Sequence, residues 1–119
     1  MRAYLVIFVT DPVDDDLAAA LRERLRARSG AWAWAATPPG FFDDPAAEHE
    51  GQRTTGAYLR VEEETGPDQD DIAAMWDWVL TSSAELMVTM EVQWREVPLG
   101  RVREGRPDEG LEAALRGIS

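Results

Sequence analysis

The chain has 119 residues, no cysteine and a formal net charge of −11, with 23 carboxylates against 12 basic residues that are all arginine. One domain of this length buries a core without staples, and the missing cysteines exclude a disulfide scaffold and thiolate chemistry. The acidic balance argues against nucleic acid and anionic membrane surfaces, whose phosphates need a basic footprint, and suits a basic protein partner instead. No apolar run approaches the roughly 20 residues of a membrane span, and the first strand begins at once without a leader-like segment, so the expected location is the cytoplasm.

Ala3-Tyr4-Leu5-Val6-Ile7-Phe8-Val9 is an apolar run stopped by Asp11-Pro12, the length of a strand rather than a helix. Tyr4, Val6 and Phe8 point to one face and Leu5, Ile7 and Val9 to the other; neither set is polar, which predicts a central strand covered on both faces. Asp14-Asp15-Asp16 then lead a helix to Arg28, with Leu17, Leu21 and Leu25 as its apolar stripe and Gly30 at the cap position. Acids at its start and arginines at its end suit the helix dipole.

Ala31–Ala36 alternates small and large, predicting a second strand with Trp32 and Trp34 on one face. Thr37-Pro38-Pro39-Gly40 ends it, and residues 37–53 form a long loop of the kind that serves as a lid or binding loop. The third strand is expected over Thr54–Glu64, with Ala57, Leu59 and Val61 opposite Tyr58, Arg60 and Glu62. After Thr65-Gly66-Pro67, Asp68 caps a second helix whose face is Ile72, Met75, Trp76, Val79 and Ser83, with Trp78 at its edge or beyond. Leu86–Val97 returns to period two: Val88, Met90, Val92 and Trp94 against Thr89, Glu91, Gln93 and Arg95. Pro98-Leu99-Gly100 closes this fourth strand, Arg101–Pro107 reads as a polar connector, and Asp108–Arg116 as a short helix showing Leu111, Leu115 and Ile118.

The order β-α-β-β-α-β predicts an α+β, ferredoxin-like sandwich with a four-stranded antiparallel sheet over residues 1–100, followed by a connector and short helix over 101–119. Both helices would cover one sheet face, leaving the other to a second copy, the tail or a ligand. A homodimer is expected on that ground. This layout, with its final strand Met90-Glu91-Val92-Gln93-Trp94-Arg95-Glu96-Val97-Pro98-Leu99 leading into a tail, resembles the dimeric α/β-barrel superfamily. The resemblance implies paired sheets and a ligand cavity, in a group that includes cofactor-free monooxygenases, polyketide cyclases and muconolactone-isomerase-like enzymes. No catalytic motif accompanies it.

Strand alternation assigns Tyr58, Arg60, Glu91 and Arg95 to the open face as candidate catalytic groups, able to polarise a substrate or move a proton. Trp32, Trp34, Phe41 and Phe42 are candidate ligand-binding aromatics that could clamp a planar molecule or anchor an interface. His49, the single histidine, is a candidate base between Glu48 and Glu50. With Asp43 and Asp44 it could also ligate a metal, but no HxH or HExxH spacing is present, so neither a metal nor a cofactor is expected. Cross-strand ion pairing explains the open-face charges equally well. Two functions follow: a small-molecule-binding protein, such as a cofactor-independent cyclase, isomerase or monooxygenase on an aromatic or polyketide-like substrate, or an acidic non-enzymatic interaction protein, such as an immunity-type inhibitor of a basic toxin.

Overall fold

A computed structural model describes residues 2–44 and 53–118. Its elements run β1 (Arg2–Val9), α1 (Asp15–Ala31), β2 (Gly40–Asp44), β3 (Thr54–Glu62), α2 (Gln69–Leu86), β4 (Thr89–Trp94), β5 (Val97–Arg103), β6 (Arg106–Pro107) and α3 (Leu111–Arg116). The strands form one antiparallel sheet ordered β2-β3-β1-β4-β5-β6. The apolar opening strand is therefore central, paired with β3 on one side and β4 on the other.

Alternation holds along every central strand. Leu5, Ile7, Leu59, Val61, Met90 and Val92 are buried beneath α1, α2 and α3 in one hydrophobic core. Complete burial of each such side chain is worth roughly 1.5–3 kcal/mol, so the register is strongly specified: a one-residue slip of β1 would bring Tyr4 and Phe8 into the core. Both long helices start on aspartates. Asp14 Oδ1 accepts from the Leu17 amide at 2.8 Å, and Asp68 Oδ1 accepts from the Asp70 and Asp71 amides at 3.0 Å, caps of about 1 kcal/mol each.

Three expectations are corrected. The sheet has six strands rather than four, because the chain turns back twice through two-residue hairpins. Arg95 and Glu96 are both left-handed (φ 52° and 67°) and join the paired residues Trp94 and Val97. Glu104 and Gly105 (φ 49° and 82°) join Arg103 to Arg106 in the same way. Turns with two positive φ values match the twist of the flanking strands. The expected closure at Pro98–Gly100 and connector at Arg101–Pro107 are thus strands, with a bulge opposite Val92 and Gln93 absorbing the Pro-Leu-Gly step.

Second, Ala31–Ala36 is not a strand. α1 runs through Gly30 to Ala31, and β2 starts at Gly40. Alanines favour helix over sheet, and the amides of Ala35 and Ala36 bond a carboxylate of α2 instead of a strand. Third, Trp78 is a core residue, 2% exposed. α2 packs against α1 as well as the sheet, so its apolar arc is wider than one stripe, and Trp78 lies beside the small Ala27 and Ala31 of α1.

Ser83 fastens the added hairpin to this framework. Its hydroxyl donates to the Val88 carbonyl at 2.7 Å or the Val102 carbonyl at 3.2 Å, and accepts from the Gly105 amide at 3.0 Å. The terminal helix buries Leu111 and Leu115, as its spacing predicts, and Ile118 just beyond it is buried too. Among the described residues, no helix is long and apolar enough to cross a membrane.

Candidate functional site

The sheet face away from the helices carries Tyr4, Val6 and Phe8 of β1, Tyr58 and Arg60 of β3, Phe42 of β2, and Glu91 and Gln93 of β4. Tyr4 and Tyr58 are 40% and 36% exposed, with edge-to-face rings 5.9 Å apart. The Tyr58 ring lies across β2 where Gly40 leaves room; a β-carbon there would meet the ring. The charged groups are paired in place. Arg60 bonds Glu62 at 3.2 Å, and Arg101 Nε donates to Glu91 Oε1 at 3.3 Å. Gln93 Nε2 donates to Glu91 Oε2 at 2.7 Å, leaving the Glu91 side chain 13% exposed.

Arg95 belongs elsewhere. It occupies the β4–β5 turn, bonds Glu63 at 2.8 Å and stacks 5.3 Å from the centre of the Trp94 ring. The four described catalytic candidates therefore fall at three places: Tyr58 and Arg60 mid-face, Glu91 near the far end of β1, and Arg95 in a turn. His49 lies outside the described residues.

Glu91 contributes to a half-open cleft of about 590 Å³ at the C-terminal end of β1. Phe8 and Thr10, the Asp11–Val13 segment, Arg53, Thr54 and Arg101 complete its walls. Asp11 Oδ2 accepts from the Thr89 amide at 2.7 Å, fixing the segment against β4. Arg53 is held at 2.8 Å by Asp43 and at 2.6 Å by Asp15. Its guanidinium, helped by the Thr55 hydroxyl, draws the Asp43 carboxyl down to about 2 against the opposing effect of burial, and the two carboxylates raise Arg53. Arg53 and Arg101 escape a reading by periodicity: one precedes its strand, and the other follows a Pro-Leu-Gly step that reads as a stop.

The aromatic candidates do not converge. Phe41 and Phe42 alternate along β2, so Phe41 turns toward the helices, where the Arg22 guanidinium lies 5.0 Å from its ring centre, and Phe42 joins the open face. Trp32 and Trp34 sit beyond α1 rather than on the sheet, edge to face at 6.3 Å. Trp32 Nε1 donates to Asp71 at 3.3 Å and Trp34 Nε1 to the Ser29 carbonyl at 3.0 Å. Asp71, 1% exposed, also accepts from Ala35 and Ala36 at 3.0 and 3.1 Å. These indoles fasten a loop across the helix ends. The partners of Asp71, a first-turn acid of α2, are more than thirty residues away in sequence and leave no local signal.

The open sheet face does not share the acidic balance of the whole chain. Strand register places Arg2, Arg60, Arg101, Arg103 and Arg106 on the open face with Asp44, Glu62 and Glu91. Five arginines against three carboxylates give that face a formal +2, so the rest of the −11 chain, connections as well as helices, carries −13 in sum, with α2 at −4, α1 at +1 and α3 at zero. Compared with protein-family models, curated proteins and solved structures, the chain matches none.

Proposed function

We propose that the protein is an acidic, non-catalytic interaction protein that binds a basic protein. The acidic excess of the chain, lying off the open sheet face, carries this reading. A molecule of net charge −11 attracts a basic partner and speeds its encounter, while the pairing of Arg60 and Glu91 with neighbouring side chains suits a structural face better than a reaction centre. An immunity-type inhibitor of a basic toxin is one protein of this kind.

The strand order of β2-β3-β1-β4 supports a ferredoxin-like core extended by β5 and β6, and a second copy of the chain would cover its open face. Five strands spaced about 4.8 Å apart, crossed by an eight-residue β1 at about 3.3 Å per residue, give a planar footprint of about 600 Å². Side-chain relief brings this toward the roughly 800 Å² per partner of a standard interface. With its small formal charge, this face lets two strongly acidic molecules approach. The cleft around Glu91 and Arg101 favours a second reading: a small-molecule site of the kind found in the dimeric α/β-barrel proteins, acting on an aromatic or polyketide-like substrate.

Affinity capture from a matched lysate at low and moderate salt, with native mass spectrometry of the purified protein, separates the readings. The interaction reading expects a retained basic protein, lost as salt rises, and a dimer mass without ligand. A co-purifying small molecule whose binding is lost in Glu91→Gln, with no basic protein retained, would replace it with the second reading.

A further inference from the structure

The second half of α1 and the start of β2 frame an open groove of about 420 Å³, within the size range of small-molecule sites. Arg22, Arg26 and Ser29 stand along its α1 side at i, i+4 and i+7, one face of the helix. Leu25, Pro39 and Phe41 supply apolar surface. Two arginines and no carboxylate line it among the described residues, so the groove carries a formal +2 in a chain of −11.

The two arginines differ. Glu23, outside the groove, takes Arg26 through bonds of 2.8 and 2.9 Å. Arg22 lies over the Phe41 ring, 5.0 Å from its centre, and has no hydrogen bond or ion pair to any described residue. That is unusual in a protein with 23 carboxylates for 12 arginines; on the same helix, Arg24 is paired with Glu85 and Arg28 with Asp77. Asp43 is close enough to feel the Arg22 charge, but its oxygens are taken by Arg53 and Thr55. A guanidinium held by its contact with a ring keeps its N–H donors for another partner. The hydroxyl of half-buried Ser29 likewise donates to no described residue.

We infer that this groove binds a small monocarboxylate with an apolar body, the carboxylate on the free fork of Arg22 and the body on Leu25 and Pro39. The fork geometry matches a carboxylate. A net charge of −11 repels a dianion or an acidic peptide more strongly than a single charge, and the apolar wall selects a ligand that carries more than the charged group. A seat for an anion stands apart from whatever surface meets a basic protein, so neither depends on the other. One fork on an open groove gives weak, rapidly exchanging binding, with a dissociation constant of about 1 mM for a ligand of about ten heavy atoms, which purification removes.

Phenylacetate, the neutral phenylacetamide and acetate are titrated at about 0.15 M ionic strength and followed by backbone amide signals. Phenylacetate should move Ser29 and Phe41 most, with the amide and acetate binding at least about tenfold more weakly. Arg22→Met, which keeps the cover on Phe41 without the charge, should weaken phenylacetate by at least about tenfold with circular dichroism unchanged. Gly30→Glu should do the same: a β-carbon at this groove-lining position meets nothing within 4 Å, so the carboxylate is added without a clash. Ala73→Glu adds the same charge at an exposed position of α2 and should leave binding within a factor of about two.

Equal binding of phenylacetate and phenylacetamide, or undiminished binding by a folded Arg22→Met, overturns the inference and leaves Arg22 a cover for Phe41. Shifts at Thr10 and Arg101 in place of Ser29 and Phe41 assign the carboxylate to the cleft at the end of β1 and overturn it as well. So does the absence of a saturable shift with phenylacetate up to about 10 mM. The basic-protein reading survives each of these results.

Discussion

Replacing Asp71 by alanine perturbs the fold at one buried carboxylate with three long-range partners. The group is 1% exposed and accepts from Trp32 Nε1 and the Ala35 amide on one oxygen and from the Ala36 amide on the other. Hydrogen bonds to a charged group contribute about 1.5–3 kcal/mol each. Simple addition overstates the loss, because Ala35 and Ala36 are exposed and their amides regain water in the variant. Asp71 also sits in the first turn of α2, where its charge adds about 0.3–1 kcal/mol through the helix dipole. The expected cost of Asp71→Ala is about 2–4 kcal/mol, which for a domain of this size lowers the melting temperature by roughly 10 °C. Urea unfolding reads the stability, and the indole Nε1–H signals report Trp32 and Trp34 directly. Asp71→Asn keeps one acceptor but turns an amide donor toward a backbone N–H, so it falls between alanine and wild type. A loss below about 0.5 kcal/mol with unchanged Trp32 and Trp34 signals would refute the anchoring role.

The Asp43 carboxyl titrates near 2 in the folded protein against an ordinary 3.8. Its pairing with Arg53 therefore stabilises the fold fully above the ordinary value and is lost as pH falls from about 4 toward 2; acid unfolding of Asp43→Asn should lack that component. Gly40→Ala should cost about 1 kcal/mol, since the Tyr58 ring can swing aside, whereas Gly56→Ala should cost more than about 2 kcal/mol because its β-carbon would strike the Ile7 carbonyl of the neighbouring strand; equal losses would contradict this view of the sheet. Val6→Glu, placed mid-face beside Tyr58, should convert a dimer to monomer in light scattering with circular dichroism unchanged, and a wild-type protein that is monomeric at high micromolar concentration would remove the sheet-to-sheet pairing.

The central strands were legible because their period-two pattern is unbroken: Leu5, Ile7, Ala57, Leu59, Met90 and Val92 face the core as alternation requires. Asp14 and Asp68 announced their helices because capping is a local interaction. What escaped depends on special backbone or on distant contacts. The Arg95-Glu96 turn has two positive φ values without the Asn-Gly or Asp-Gly pair that signals one, so β5 and β6 were hidden behind it. Met87 caps α2 in a left-handed conformation usually given to glycine or asparagine. For the candidate site, alternation correctly placed Tyr58, Arg60 and Glu91 on the open face. The partners of Glu91, the cleft it lines and the role of Asp71 arise from register and tertiary packing, which periodicity does not carry.

The most direct test of the acidic interaction reading is the association rate of the protein with its captured basic partner as ionic strength rises from about 0.01 to 0.15 M, over which the screening length falls from about 30 to 8 Å. The account predicts a rate that falls steeply with salt and a low-salt rate reduced by Asp70→Asn and Glu112→Gln on the helix side. Arg60→Gln on the sheet face should leave it within a factor of about two. A rate indifferent to salt, or one governed by the sheet-face arginine instead of the helix-side acids, would contradict it.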